Sequence, residues 1–379
     1  MHDTLPETGL QLRSLVTDDG YLKLLLKSSP IPEPGDDEVV VRVEATPINP
    51  SDQATLIAPA DVSTGKTTGS GADTVYTAKL RPGLESRVKP RIGKPLAAGN
   101  EGAGTVVKAG ASAAAQALLG KTVAVMDGAL YCQYRKVNVM QCLPLNEGTS
   151  ARDGASCFVN PLTALGMVET MRREGFKALI HTAAASNLGQ MLNRVCQKDG
   201  IELINIVRKP EQVELLKSQG AKYVCNSSDD SFMSDLTRAI EETGAYLAFD
   251  ATGGGELGSR ILTCMEKAAL KDVELPGPYG SNTFKQLYIY GSLDLSPTII
   301  HRNFGFSWGI NAWLLTPFIA KVGPERAGEL RQRVADELHT TFASHYSDEV
   351  SLLQVLQADV VAEYSQQSTG KKYLINPSL

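Results

Sequence analysis

Cysteine pairs, clustered histidines, long apolar runs and an excess of basic residues are all missing from this sequence. Each absence excludes a class of protein. The six cysteines, Cys132, Cys142, Cys157, Cys196, Cys225 and Cys264, are dispersed, with no CxxC pair and no Cys/His cluster. Such spacing offers neither a disulfide framework nor a zinc knuckle. In a chain of 379 residues it suits buried thiols in a reducing compartment. The five histidines, His2, His181, His301, His339 and His345, are equally scattered. No apolar run is long enough to span a bilayer. The segment Met1–Leu12 carries charges where a signal peptide would have an apolar core. The expectation is a cytoplasmic protein with no membrane partner. A net charge of −5 argues against a nucleic-acid partner, which requires a basic surface.

What is present is an ordinary globular composition, 42% hydrophobic and 21% charged, in a chain longer than one typical core. Two domains are therefore expected. Short Val-rich segments at Val39–Val43, Gly104–Val107 and Thr122–Val125, broken by Gly, Pro or Asp, read as a small barrel-like β domain. Residues 57–98 are rich in Gly, Ser, Thr, Pro and Lys and read as a long surface loop. From about Cys157 the pattern changes to alternating strands and helices. Strands are expected at Lys177–His181, Ile201–Val207, Tyr223–Cys225, Tyr246–Phe249 and Gln286–Tyr290. Helices are expected at Leu188–Lys198, Pro210–Gln219, Ser231–Glu242 and Gly258–Lys267, with a longer one over Pro324–Phe342. That alternation predicts an α/β domain with a doubly wound parallel sheet. Lys271–Thr283, with Pro276, Gly277, Pro278 and Gly280, reads as an inserted loop, and Asp359–Tyr364 and Lys372–Ile375 read as strands.

The first βα turn carries the strongest local chemistry. After the strand come Ala183, Ala184, Ala185, Ser186, Asn187, Leu188 and Gly189. Small side chains and one glycine at the start of a helix let backbone approach a pyrophosphate, which the helix N-terminus attracts. Only one glycine of a G-x-G-x-x-G pattern survives, and a tight turn without ligand is the plain alternative. The second strand ends in Arg208 and Lys209 where an NAD-selective fold places a carboxylate. Two cations there suit a 2′-phosphate, which points to NADPH over NADH. Ala251, Thr252 and Gly253, after the fourth strand, are further cofactor candidates at the carboxyl edge of the sheet.

Taken together, these residues resemble the medium-chain dehydrogenase/reductase superfamily, and within it the zinc-free quinone oxidoreductase and 2-enoyl thioester reductase branches. Ile48-Asn49-Pro50-Ser51-Asp52 is similar to an Asn-Pro-x-Asp motif, and Gly99–Val107 to a G-x-E-G-x-G-x-V turn. Val159–Ala164, Ala185–Gln190 and Asn205–Arg208 resemble segments of the enoyl reductases, and Gly370-Lys371-Lys372 the closing strand. The resemblance implies a GroES-like β-barrel catalytic domain from residues 1–156 and 345–379, a Rossmann-type NADP-binding domain from 157–344, and an active site in the cleft between them. It also implies a homodimer, for which the aromatic stretch Phe304–Phe318, with Trp308 and Trp313, is the candidate edge; core packing is the alternative for that stretch.

Zinc is not expected. The histidine that zinc members place before the turn glutamate is Asn100 here, and no cysteine lies near Asn49. The chemistry implied is hydride transfer from NADPH to a small-molecule quinone or enone, with hydrogen-bond donors aimed at the oxygen that gains charge. Catalytic candidates are Asn49, ordering the site or donating a hydrogen bond, Asp52, and Tyr76. Tyr76 stands in for a tyrosine that the family supplies just after its Asn-Pro motif and that Gln53–Ile57 lack; Tyr131 and Tyr279 are alternatives. Asn160 and Thr163 are expected at the cofactor, or as a helix cap. Two rivals stay open: a 2-enoyl thioester reductase with a basic entrance at Lys79, Arg81, Arg87, Lys89, Arg91 and Lys94, and a non-enzymatic NADPH-binding sensor.

Overall fold

Val39, Val41 and Val43 lie on one face of the strand Glu38–Pro47 and are wholly buried with Val106, Val123 and Val125 of neighbouring strands. In the computed structural model, which describes residues 5–275, 277–366 and 370–379, this cluster is a core of the first of two units. Met1, His2 and Pro276, named above, lie outside the described residues. The units are Met1–Val159 with Arg333–Leu379, and Asn160–Gln332.

Among the described residues the first unit holds two sheets. One has five strands in the order Lys66–Thr68, Val75–Lys79, Tyr21–Pro30, Thr8–Val16, Leu96–Ala97. The other runs Cys142–Pro144, Thr122–Met126, Glu101–Ala109, Glu38–Pro47, Tyr373–Ile375, Asp348–Val350, with Tyr134–Asn138 also paired to Glu38–Pro47. Tyr373–Ile375 pairs antiparallel with Glu38–Pro47, so the end of the chain completes a sheet begun near its start.

Two expectations are corrected here. Residues 57–98 are not one long loop, because they include the strands Lys66–Thr68 and Val75–Lys79. Thr and Lys on the outer face mask the alternation, while Tyr76 and Ala78 point into the core. Asp359–Tyr364 is not a strand but part of the helix Ala358–Ser365. Val361 and Tyr364, three residues apart, share its buried face, a helical rather than a strand period.

The second unit has six parallel strands in the order Tyr223–Asn226, Glu202–Val207, Ala178–His181, Leu247–Asp250, Lys285–Ile289, Trp308–Ala312. This is a doubly wound sheet whose strand order reverses between Ala178–His181 and Leu247–Asp250, the place where such sheets bind ligands. The strand Trp308–Ala312 takes the edge. The aromatic stretch around it divides: Phe304, Trp313 and Phe318 are buried, whereas Phe306 and Leu314 are exposed. Trp313 fits closely over Gly166, and its Nε1 donates to Thr170 Oγ1 at 3.1 Å. The helix expected over Pro324–Phe342 ends earlier, at Asp336.

Candidate functional site

In the second unit the turn after Ala178–His181 is shaped by steric limits. Ala183 has φ 51°, the left-handed region, and is the one non-glycine there among the described residues. Ser186 caps the helix Asn187–Asp199, its Oγ accepting from the Gly189 N–H at 3.1 Å. A Cβ on Gly189 would lie 2.2 Å from the Ala184 carbonyl oxygen, so only glycine lets the helix sit this close to the turn. Ala185 and Leu188 are buried against this turn, and Gln190 Nε2 donates to the Ala185 carbonyl. The helix start therefore faces outward from a compact backbone cradle with its positive dipole end.

Arg208 and Lys209 both stand exposed just beyond the strand Glu202–Val207. Lys209 pairs loosely with Glu211 at 3.6 Å. The Arg208 guanidinium makes no ion pair or hydrogen bond among the described residues, although its backbone is fixed by Gln212 and Ser228. A cation held at its base and open at its tip suits an anionic ligand group.

The turn after Leu247–Asp250 behaves differently from expectation. The N–H of Ala251 donates to Thr182 Oγ1, and those of Thr252 and Gly253 donate to the Asp250 carboxylate. The expected cofactor contacts of Ala251, Thr252 and Gly253 cannot come from these backbone donors, which are spent inside the protein. His181 is buried beside this turn, its Nε2 2.7 Å from the Tyr290 hydroxyl, and burial pushes its pKa down to about 3.

In the first unit a buried polar network surrounds Asn49. The Asp52 carboxylate accepts from the Asn49 N–H and the Asn100 N–H, both at 2.8 Å. Burial raises its pKa to about 7. With each oxygen accepting from a backbone donor, Asp52 fixes the turn. Asn49 Nδ2 donates to Glu101 Oε1 at 2.8 Å, which uses one of its two hydrogens. Glu101 Oε2 accepts from the N–H groups of Phe158 and Val159, also at 2.8 Å. Lys372 is buried too, donates to Ser156 Oγ at 2.8 Å, and is lowered to about 8 by burial.

Tyr76 does not fit the proton-donor role. It is completely buried in the five-stranded sheet's core, its hydroxyl has no partner among the described residues, and burial raises it to about 12. Tyr131 is also buried, with its hydroxyl donating to the Pro47 carbonyl, and Tyr279 is exposed against Phe306. Asn160 and Thr163 lie on the buried part of the helix Val159–Arg173. Sequence reading noted Glu101 and Lys372 only as motif members. Glu101 opens the strand Glu101–Ala109 and Lys372 directly precedes Tyr373–Ile375, so neither stands inside an apolar run that would mark it as buried. Among the described residues, no three His, Cys, Asp or Glu side chains gather as a metal site.

Comparison with known proteins shows what the chain is similar to. The alcohol dehydrogenase GroES-like domain family matches residues 35–171. A Mesorhizobium loti structure described as a candidate NADPH:quinone reductase is 26% identical and superposes with a TM-score of 0.73, covering 99% of this chain and 100% of that one. This chain is similar to members of the medium-chain dehydrogenase/reductase superfamily. Prostaglandin reductase-3 of Bos taurus is 26% identical over 61% of this chain and 53% of its own length. Mitochondrial enoyl-[acyl-carrier-protein] reductase of Xenopus tropicalis is 28% identical over 58% and 57%. The chain thus spans little more than half the length of these curated superfamily members.

Proposed function

We propose that this protein is an NADPH-dependent, zinc-independent reductase of quinones or other α,β-unsaturated carbonyl compounds. The observation that carries the reading is Arg208, whose unpaired guanidinium follows the second strand of a doubly wound sheet where an NAD-selective fold would hold a carboxylate. The cradle fits a dinucleotide: Gly189 leaves room that a Cβ would fill, and the start of Asn187–Asp199 faces an anion. When bound, NADPH supplies hydride to an electron-poor carbon of the acceptor. Arg208 and Lys209 hold the 2′-phosphate, the Ala183–Gly189 turn holds the pyrophosphate, and Asn160 and Thr163 line the nicotinamide end. Asn100 in the histidine position of zinc members supports metal-independent chemistry. Six unpaired, buried thiols support a reducing, cytoplasmic setting, and the edge strand Trp308–Ala312 with exposed Phe306 and Leu314 supports a homodimer.

A second reading, a 2-enoyl thioester reductase, is favoured by the likeness to the enoyl-[acyl-carrier-protein] reductase and by the exposure of Lys79, Arg81, Arg87, Lys89 and Lys94, which suit a phosphate-bearing thioester arm. Titration calorimetry with NADP+ and NAD+, followed by NADPH consumption with quinones, enones and enoyl thioesters, tests both. Tight NADP+ binding weakened at least tenfold by Arg208→Ala, with NAD+ unaffected, is the expected result, the size being about that of one charge-assisted contact. Absence of NADP+ binding overturns the proposal. Binding without turnover of any acceptor converts it to a sensor.

A further inference from the structure

Two side-chain amides tie the turn before the helix Asn187–Asp199 to the helix Pro210–Ser218. Gln190 Nε2 donates to the Ala185 carbonyl at 2.9 Å, and Gln219 Nε2 donates to Gln190 Oε1 at 2.7 Å. The direction of this relay is fixed at one end. A backbone carbonyl only accepts, so Gln190 must turn its NH2 to Ala185 and its oxygen to Gln219, and Gln219 must answer with its own NH2. Gln219 Oε1 is left buried without a partner among the described residues, so this polarity is kept against a cost. The Gln219 carbonyl is held as well. It accepts from Gln197 Nε2 at 2.9 Å, two turns further along the helix that carries Gln190.

Gln219 follows the last turn of Pro210–Ser218, its N–H bonded to the Leu215 and Leu216 carbonyls. At the other end of the same helix stand Lys209, its N-cap, and Arg208, whose N–H donates to Gln212 Oε1 at 3.2 Å. The helix has 9 residues, so its ends lie about 13 Å apart. Ala184, Ala185, Val207, Leu216 and Ala221 form a small core that packs the turn, the strand end and this helix together. The turn assigned to the pyrophosphate and the cation assigned to the 2′-phosphate are thus joined through one short helix, and the relay fastens its far end.

Resting on the NADPH reading above, we propose that Gln190 and Gln219 are positioning residues that hold the helix Pro210–Ser218 in register with the pyrophosphate turn, and so set where Arg208 meets the 2′-phosphate. The two positions differ in what they control. Gln190 holds the Ala185 carbonyl, and with it the turn that any nicotinamide dinucleotide uses. Gln219 holds the helix, and with it the cation that reads the extra phosphate. A change at Gln219 is therefore felt by NADP+ and not by NAD+.

Gln219→Leu keeps the bulk and removes the donor. Titration calorimetry should show NADP+ binding weakened about tenfold and NAD+ binding within about twofold of wild type. A purely structural role predicts equal losses for both cofactors with a lower unfolding midpoint. That result overturns the proposal, as does wild-type NADP+ affinity in the folded variant. Gln219→Lys returns a donor and should bring NADP+ affinity back to within about threefold of wild type. A folded Gln219→Lys protein no better than Gln219→Leu also overturns it.

Should Gln219→Leu fail to fold, Gln190→Glu supplies the second test, because its charge can be changed within one folded protein. The ionised carboxylate sets an oxygen against the Ala185 carbonyl, and both cofactors should bind about tenfold more weakly than to wild type at about pH 8. Once protonated, the same side chain donates to Ala185 while its other oxygen still accepts from Gln219. The groups bonded to this side chain, the Ala185 carbonyl and the Gln219 amide, do not titrate themselves. The ratio of variant to wild-type affinity should therefore rise toward one as pH falls to about 5, and titration of the cofactor cancels in that ratio. A ratio that does not change with pH overturns the relay. If wild type binds no NADP+ at all, the function reading fails first; if it binds and these variants match it, only the relay fails.

Discussion

Thr182 Oγ1 donates to Asp250 Oδ1 at 2.7 Å and accepts from the Ala251 N–H at 2.8 Å, so one hydroxyl joins the carboxyl ends of two adjacent parallel strands. These strands flank the point where the sheet order reverses. Both groups are buried, so neither can turn to water if its partner is removed. Thr182→Val keeps the shape and removes the hydroxyl, leaving a buried carboxylate oxygen and a buried N–H short of a partner. Urea unfolding should show a loss of about 1–3 kcal/mol. A loss below a few tenths would mean that the bond does not hold the two ends together.

Ala183 and Gly189 make opposite predictions within one turn. Ala183 occupies the left-handed region at φ 51°, where a Cβ costs about 1–2 kcal/mol. Glycine relieves that strain but gives back about 0.5–1 kcal/mol of chain entropy. Ala183→Gly should therefore leave stability level or raised by about 1 kcal/mol, whereas Ala183→Val should lower it by at least about 2 kcal/mol, since a β-branched side chain tolerates this region least. Gly189→Ala sets a Cβ against the Ala184 carbonyl, forces the helix away from the turn, and should weaken NADP+ binding more than it lowers the unfolding midpoint. Equal behaviour of Ala183→Gly and Ala183→Val in unfolding scans would contradict the strain argument.

How far the sequence could be read depended on whether a signal was local. The parallel sheet was legible because each buried strand, such as Leu247–Asp250, is a short apolar run closed by glycine or a polar turn. Val75–Lys79 was not, because Thr77 and Lys79 on its outer face resemble loop composition and the inward Tyr76 and Ala78 are too few to reveal a period. The helix Ala358–Ser365 was misread for the same reason in reverse: two adjacent valines imitate a strand. At the site, Arg208 could be placed by counting from the strand. The contact of Asn49 with Glu101, 52 positions away, could not be placed in this way.

Lys285 and Glu266 form a buried pair at 2.6 Å, 0% and 6% exposed. The ammonium also donates to Ser281 Oγ and the Thr283 carbonyl, while the carboxylate accepts from the Ser281 N–H and hydroxyl. The pair thus fastens the segment before the strand Lys285–Ile289 to the helix Leu257–Ala269. Lys285→Met should cost about 3–5 kcal/mol, because it strands a buried carboxylate, and adding Glu266→Leu should recover most of that loss. Chemical denaturation of the three proteins checks it. A double variant no better than Lys285→Met would show that the Ser281 contacts, rather than the charge, hold the segment.

His181 gives the stability of the second unit a defined pH dependence. Its ring is completely buried against Tyr290, and desolvation lowers its pKa from 6.5 to about 3. In the unfolded chain it gains a proton as pH falls through 6.5, while the folded protein keeps it neutral until about 3. The unfolded state therefore binds more protons in that window, and the contribution present above 6.5 is lost progressively as pH falls. One such group changes stability by about 1.4 kcal/mol per pH unit within the window. Replacing both rings, His181→Phe with Tyr290→Phe, removes the titrating group and the hydroxyl that depends on it while keeping the stack. The double variant should start below wild type near neutral pH, since a buried hydrogen bond is lost, and lose stability less steeply on acidification. Unfolding measured from pH 7 to 4 should show the two curves converging, and parallel curves would mean that His181 takes up its proton in the folded protein over the same pH range as in the unfolded chain.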